Sequence, residues 1–434
     1  MNEIYNAANF YYEEDNNKVR KINSFIKKYK LKAYDFASKK ERIITQKNKK
    51  RRVYYYEKDT FEYIMCSHFS FVLSKKFRIT YNDRNKIIKE LINSLQLIKN
   101  ITDFTIIRFD FKDYFNSISS AYVFEKYLKK ADISRELLNI MKEFFEANKN
   151  CSAGFPTSNL LAELISKDFD IELKAKLSQY GVIYYERYVD DGLLILNSYI
   201  DSQQFLYIVN NTIKKVFYDP NYPLKNQKVR LNNNKTKIIN NRLFNNNVDE
   251  ITFLGYLIIL KNDNKSIKLE FGICNEKMKK YQNKFNLIIE DYKKNQIIEL
   301  LRHRILLFTR RVVYTVPNIK KDLTWLSKGV VSNYNELRHF DSILQNDTKQ
   351  FLKECVKEGF TKHNVQMPYF MKGNSKQSYE LYSNLMKNRS IIFDEKIGVS
   401  KNDLIKYCNK IGIEVNSNET YEKILNHYLE KIKI

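Results

Sequence analysis

Residues 182–196, VIYYERYVDDGLLIL, constrain the fold of this chain more than any other stretch. Two runs of apolar and aromatic residues flank Asp190 and Asp191, which reads as two strands around a tight turn. Adjacent aspartates at the tip repel each other. A fold accepts that repulsion when a cation sits between them, because a nearby positive charge favours the ionised carboxylates. A second run, FTIIRFDF (104–111), predicts another strand with Asp110 near its end. If the two strands are neighbours, Asp110 and Asp190 meet at one sheet edge. Three carboxylates without Cys or His favour Mg²⁺, or Mn²⁺, over zinc. A pair of such ions suits in-line phosphoryl displacement.

Composition restricts the partners. The 434 residues include 75 Lys and Arg against 50 Asp and Glu, a formal net charge of +25, and 14% are aromatic. Such a charge repels itself unless a polyanion is near, and rings offer surfaces for base stacking. Nucleic acid is the expected partner. No apolar run approaches the roughly 18 residues of a membrane span, and the N-terminus has no basic-then-apolar secretion signal. The five cysteines are scattered, with no CxxC pair, and the five histidines form no ligand spacing. A cytoplasmic, reducing setting without disulfides or zinc is expected.

Along the chain, residues 1–40 read as helical and basic. Residues 41–56 (ERIITQKNKKRRVYYY) read as a hairpin with a basic KNKK tip. Residues 57–100 read as helices. From 101 the order is strand, helices at 120–148 and 157–180, the hairpin at 182–196, then strands near 229–239 and 251–260, an α+β pattern. Met278, Tyr281, Phe285, Ile288 and Tyr292 mark one face of a helix. A further helix is predicted over 297–314, carrying Arg302, Arg304, Arg310 and Arg311. The remainder reads as mostly helical, ending in helix 401–411, an extended loop 412–417 and helix 420–433.

These pieces fall in a familiar series. DFKDYFNSI, beginning at Asp110, resembles motif A of reverse transcriptases. CSAGFPTSNLLAE, beginning at Cys151, resembles motif B, YVDD (188–191) motif C, LNNNKTK (231–237) motif D, and FLGY (253–256) motif E. Order and spacing agree over roughly residues 40–295. Within bacterial reverse transcriptases the chain most resembles the abortive-infection and defence-associated group, through NDRNKII (82–88), DFKDYFNSI and the Leu-Ala-Glu end of motif B. Retron enzymes come second, since the Val-Thr-Gly element of their thumb is missing. The endonuclease tail of group II intron proteins is also absent.

The resemblance implies an α+β right-hand polymerase: fingers 1–100, palm 101–260, thumb 261–315 and a mostly helical C-terminal region 316–434. It implies an RNA-directed DNA polymerase, in antiphage defence, with deoxynucleotides, an RNA template or noncoding RNA and a DNA product. A homo-oligomer or a partner defence protein is compatible with it. Asp110 and Asp190 would hold two Mg²⁺ ions, with Asp191 assisting and Phe111 offering its backbone carbonyl. Asp113 and Tyr114 would present N–H groups to the triphosphate, and Phe115 would gate against a 2′-hydroxyl. Arg51 or Arg52 would clamp the triphosphate, since Arg binds phosphate bidentately. Lys235, or Lys237, would neutralise leaving pyrophosphate. Ala153 and Gly154 line the nucleotide site. Ala153 stands where the family has a nucleotide-touching Gln, which is compatible with untemplated or protein-primed synthesis. Leu254, Gly255 and Tyr256 would grip the primer, and Arg302, Arg304, Arg310 and Arg311 would track a nucleic-acid backbone. The alternatives are a retron-type enzyme making RNA-linked DNA, an RNA-dependent RNA polymerase, against which Phe115 argues, and a binding protein with a non-catalytic palm.

Overall fold

Helices α1 (Asn2–Tyr11) and α2 (Lys18–Lys30) precede the expected basic hairpin, in which β1 (Lys40–Gln46) pairs antiparallel with β2 (Lys49–Tyr55). The computed structural model describes residues 2–433 except Glu14, Lys47, Asn48, Leu224, Asn226 and segments 241–247, 263–266, 318–322 and 374–377. Lys47 and Asn48 of the KNKK tip therefore lie outside the described residues. The chain divides into two units, Met1–Ile87 with Asn100–Phe244, and Ile88–Lys99 with Asn245–Ile434.

In the first unit, α3 (Phe61–Lys76) starts at Thr60, whose hydroxyl caps the Tyr63 N–H. Helix α4 (Arg84–Leu97) follows, its first turn belonging to this unit. Strand β3 (Thr105–Asp110) leads through the short α5 (Tyr114–Ser117) and α6 (Ser120–Val123) into α7 (Arg135–Ala147) and α8 (Pro156–Leu177). Proline at the first position of α8 costs no helical hydrogen bond and fixes its start. Then come β4 (Val182–Tyr188), β5 (Asp191–Leu196), α9 (Ser202–Phe217) and β6 (Lys237–Asn240). The expected strand near 229–239 is limited to this last piece and one bridge at Leu231.

Four strands form an antiparallel sheet in the order β4-β5-β3-β6. Strands β3 and β5 are buried almost throughout, which is why both read as apolar runs. Helix α8 covers one face: the Phe169 ring meets Phe111 at 5.2 Å and Phe109 at 6.2 Å between centroids. Gly192, opposite Phe109 in the register, leaves room for that ring, since a Cβ there would lie 2.3 Å from it. Each such fully buried Phe contributes roughly 1.5–3 kcal/mol. The base of the β1–β2 hairpin is fixed by Tyr56, whose hydroxyl donates to the Phe36 carbonyl at 2.7 Å and accepts from Asn148 at 3.1 Å.

In the second unit, β7 (Val248–Phe253), β8 (Tyr256–Asn262) and β9 (Ile267–Ile273) form an antiparallel meander. Helix α10 (Asn275–Asn295) buries Met278, Phe285 and Ile288, the expected face. Helix α11 (Ile298–Thr309) is shorter than expected: Arg310 is already extended, and Arg311 opens β10 (Arg311–Pro317). The β-branched run from Val312 overrides continuation of the helix. Strand β10 sits between β11 (Leu323–Lys328) and, parallel to it, β12 (Ser390–Phe393). The rest is helical, as expected: α12 (Val330–Asn333), α13 (Asn346–Lys362), α14 (Leu381–Met386), α15 (Lys401–Lys410) and α16 (Tyr421–Ile432). No helix among the described residues is long and apolar enough to cross a membrane.

Candidate active site

Strand pairing brings the three aspartates to one end of the four-stranded sheet. Asp110 is the register partner of Asp191, and the Phe111 N–H donates to the Asp190 carbonyl at 3.0 Å. Residues opposite each other in a sheet share a face, and so do residues two apart on a strand. Asp110, Asp191 and Arg108 therefore share one face. Asp110 itself is buried. Burial pushes the Asp190 carboxyl above its ordinary value, and the charge of Asp110 pushes it further. Asp191 is also raised by burial; Arg108 opposes the shift, while Asp110 and Asp190 add to it.

Two cations answer this negative charge. Arg108 donates from Nε to Asp191 Oδ1 at 2.9 Å and from Nη2 to Oδ2 at 3.2 Å. Lys235 Nζ lies 2.7 Å from Asp110 Oδ2, and Asn232 donates to Oδ1 at 3.2 Å. A tight turn over Asn233–Lys235 delivers that ammonium. Among the described residues no three His, Cys, Asp or Glu side chains form a ready cation cage. The reason is visible: Asp191 is drawn onto Arg108 and Asp110 onto Lys235. The donor set still fits a hard divalent cation. It offers Asp110 and Asp190 with repelling charges, and the Phe111 backbone N–H is bonded to Asp190 beside them. The Lys235 ammonium occupies a position where positive charge is favoured.

The turn bearing Asp190 is strained. Val189 has φ +60°, rare for a β-branched residue. Arg187 holds it: Nη1 donates to the Val189 carbonyl at 2.7 Å. The same guanidinium forks to Glu163, at 3.1 and 3.2 Å, and to Asp170, from Nη2 at 2.8 Å and Nε at 2.9 Å. Its side chain is 1% exposed. Burial alone would lower its pKa, but Tyr114, Asp170 and Glu163 outweigh that and raise it. Tyr185 also donates to Asp170, at 2.6 Å.

Motif B and the basic hairpin are tied together. The Tyr54 N–H donates to the Ala153 carbonyl at 2.8 Å. Gly154 follows with φ +112°, and a Cβ there would lie 2.3 Å from the Tyr54 carbonyl oxygen. Pleat alternation separates the two arginines. Arg51 lies over the Phe115 ring at 5.9 Å, and its charge reaches Asp190. Arg52 is exposed and pairs with Glu41 at 3.5 Å. Phe115 lines a cleft of about 240 Å³ with Tyr81, Asn159, Tyr188 and Val189. Asp113 adopts a left-handed conformation and accepts from Asn116 at 2.8 Å. The Tyr114 side chain is in the core, donating to or accepting from Ser166 at 2.5 Å, so only its backbone is left for a ligand.

The remaining expected residues lie in the second unit. Leu254 and Gly255, both with positive φ, form the two-residue turn between β7 and β8. Tyr256 differs from its expected role as a primer contact. It is fully buried, stacked on Phe271 and donating to Glu336 at 2.9 Å, so it fixes the turn from inside. Arg304 is buried and pairs with Asp291, which removes it from any backbone-tracking row. Arg302 lies over the Phe370 ring. Arg310 and Arg311 leave the helix.

Arg108, Arg187, Glu163 and Asp170 were not singled out from the sequence. Arg108 had a signal, a lone cation two residues before Asp110 in an apolar strand. The other three meet only through the tertiary fold.

Residues 67–258 match the family described as reverse transcriptase (RNA-dependent DNA polymerase). This stretch of the chain is similar to the reverse transcriptase domain. The retron Ec73 reverse transcriptase of Escherichia coli is 29% identical over 133 residues, covering 28% of this chain and 42% of that protein. The chain thus spans less than half the length of this curated relative. Among solved structures, telomerase from Candida albicans in complex with the TWJ fragment of telomeric RNA has a TM-score of 0.38 at 15% identity, covering 91% of this chain and 61% of that one. The corresponding Candida tropicalis complex has a TM-score of 0.35 at 14% identity, covering 95% and 68%.

Proposed function

We propose that the chain is an RNA-directed DNA polymerase whose active site is built on Asp110, Asp190 and Asp191. The observation that carries this reading is the buried Asp110 and the half-buried Asp190 side by side at one sheet end, with the charge of Asp110 answered by Lys235. In the reaction, a primer hydroxyl attacks the α-phosphorus of a deoxynucleoside triphosphate, its proton is lost, and pyrophosphate leaves. Two Mg²⁺ ions held by Asp110, Asp190 and the Phe111 carbonyl would supply charge neutralisation and hydroxyl activation. Asp191, released from Arg108, would assist. Arg51 is the better placed of the two hairpin arginines for the triphosphate, because it faces Phe115 and Asp190. Lys235 moves from Asp110 to the departing pyrophosphate. The backbone N–H groups of Asp113 and Tyr114 and the Ala153–Gly154 corner complete the nucleotide site, with Phe115 under the sugar.

In this reading residues 1–100 are fingers, 101–260 palm, 261–315 thumb and 316–434 an accessory region. Leu254 and Gly255 present the primer grip, with Tyr256 as its support. The role is antiphage defence with a noncoding RNA as template or partner; the likeness of the motifs to the defence-associated group supports it. A retron-type activity making RNA-linked DNA is the second reading, favoured by the 29% identity to a retron enzyme. The two separate in one experiment. Protein purified with its bound nucleic acid is incubated with Mg²⁺ and labelled deoxynucleotides, and the product is then treated with ribonuclease or protease. A label that shifts on ribonuclease treatment identifies RNA-linked DNA. A label that stays with protein identifies protein-primed synthesis.

A further inference from the structure

The second unit holds a cleft of about 450 Å³ between α11, β12, the loop after it, α15 and α16. That is within the range of roughly 300–1,000 Å³ typical of small-molecule sites. Its aliphatic walls carry several rings and one guanidinium. Tyr407, Tyr428, Phe393 and His303 supply rings, and Arg310 supplies a guanidinium. Tyr428 and His303 Nδ1 are hydrogen-bonded at 2.9 Å, which fixes both rings. Burial pushes His303 down to about 4, so it is neutral at pH 7.

Arg310 has no counterion. Among the described residues no carboxylate pairs with it, and its buried Nε has no hydrogen-bond partner. Burial lowers its pKa, and the neighbouring Arg389 adds like-charge repulsion. Among the described residues Arg389 finds only neutral hydrogen-bond partners, donating to Ser378 Oγ at 3.1 Å. The next residue, Arg311, also has a buried Nε without a partner. The acid on the cleft wall, Asp403, is already engaged, accepting from Ser400 at 2.7 Å and pairing with Lys406 at 3.3 Å. An uncompensated, half-buried guanidinium is costly and is stabilised when an anion binds it.

We propose that this cleft is a binding site for a nucleoside monophosphate unit, its phosphate on Arg310 and its base against the rings of Tyr407 and His303, with the buried Tyr428 holding His303 from behind. Arg forks match phosphate oxygens, and aromatic faces stack on bases whatever their sequence. The unit is either a free nucleotide or a residue of an RNA strand, and the two sources share this chemistry. The site uses none of the residues assigned above to the metal ions, the triphosphate or the primer grip, so it is tested apart from them.

The test is binding of adenosine 5′-monophosphate, adenosine and a short 5′-phosphorylated RNA to the full-length protein, by calorimetry in EDTA. EDTA withholds the divalent ions that nucleotide binding at Asp110 would require. The expected result is saturable binding of the monophosphate or the phosphorylated RNA, with the unphosphorylated form about tenfold or more weaker. Arg310→Met should weaken binding by a similar factor, and Asp110→Asn should leave it unchanged. Ile397→Glu is a second variant that spares the core, because Ile397 lines the cleft and is 66% exposed. Its added negative charge should weaken binding too. Binding of RNA without binding of the free monophosphate assigns the site to a strand. Equal binding by the parent, Arg310→Met and Ile397→Glu, equal binding of adenosine, or no binding of either phosphate would overturn the proposal.

Discussion

Replacing Arg187 by Met should damage the fold far more than an ordinary arginine substitution. The guanidinium is 1% exposed, while the carboxylates it serves, Glu163 and Asp170, are 17% and 21% exposed. Arg187→Met keeps most of the volume but leaves two half-desolvated anions without a cation. Breaking a buried ion pair costs about 3–5 kcal/mol. Because both anions keep some contact with water, the low end, about 3 kcal/mol, applies to the pair together. The lost bond to the Val189 carbonyl adds about 1–2 kcal/mol. The sum is roughly 4–5 kcal/mol, or a fall in Tm of about 8–20 °C for a domain of some 150–250 residues. Scanning calorimetry in metal-free buffer measures it. A triple variant, Arg187→Met with Glu163→Gln and Asp170→Asn, removes the stranded charges and should recover at least half of the loss. A fall below about 2 °C in the single variant would refute the reasoning, as would a triple variant no more stable than the single one.

Three further outcomes are expected. Asp190→Asn should abolish incorporation yet raise metal-free stability at pH 7 by about 0.5–2 kcal/mol, because it removes the repulsion between the half-buried Asp190 and Asp110. The sign follows from the raised pKa of Asp190: its contribution is fully present below the ordinary value of 3.8 and is lost as pH rises through the folded value. The parent should therefore lose stability over that window in thermal melts, and the Asn variant should lose less. Phe115→Ala should admit ribonucleotides that the parent rejects, read by primer extension with each nucleotide type. Gly154→Ala should cost about 1–3 kcal/mol and weaken nucleotide binding, since the new methyl meets the Tyr54 carbonyl and the φ of +112° is strained; a melt and a KM for deoxynucleotides check both.

Much of the site was legible because its elements are local. The apolar runs around Asp110 and Asp190 each read as a strand, and the carboxylates at their ends then predicted a shared edge. The basic hairpin read from alternation and charge, although choosing Arg51 over Arg52 required knowing which face packs on Phe115. Lys235 and Lys237 are equivalent in sequence, and only the folded turn at Asn233 places the Lys235 ammonium on Asp110. The Arg187 cluster was illegible, since its members stand 24 and 17 positions from Arg187 along the chain and no periodicity links them. Beyond Thr309 the error was one of competing propensities: Arg310 and Arg311 extend a helical pattern, but the run Val312-Val313-Tyr314 pairs with Ile391, Ile392 and Phe393 and makes a strand. Resemblance of FLGY to motif E implies a primer contact for Tyr256, whereas its ring completes the core beneath the turn.

Incorporation of labelled deoxynucleotides by the purified chain on an RNA template and primer tests the central claim most directly. The account predicts Mg²⁺-dependent, chelator-sensitive DNA synthesis that disappears in Asp110→Asn and in Asp190→Asn, while both variants remain folded. Synthesis that survives either substitution, or no synthesis on any RNA or with the nucleic acid the protein carries, would contradict it.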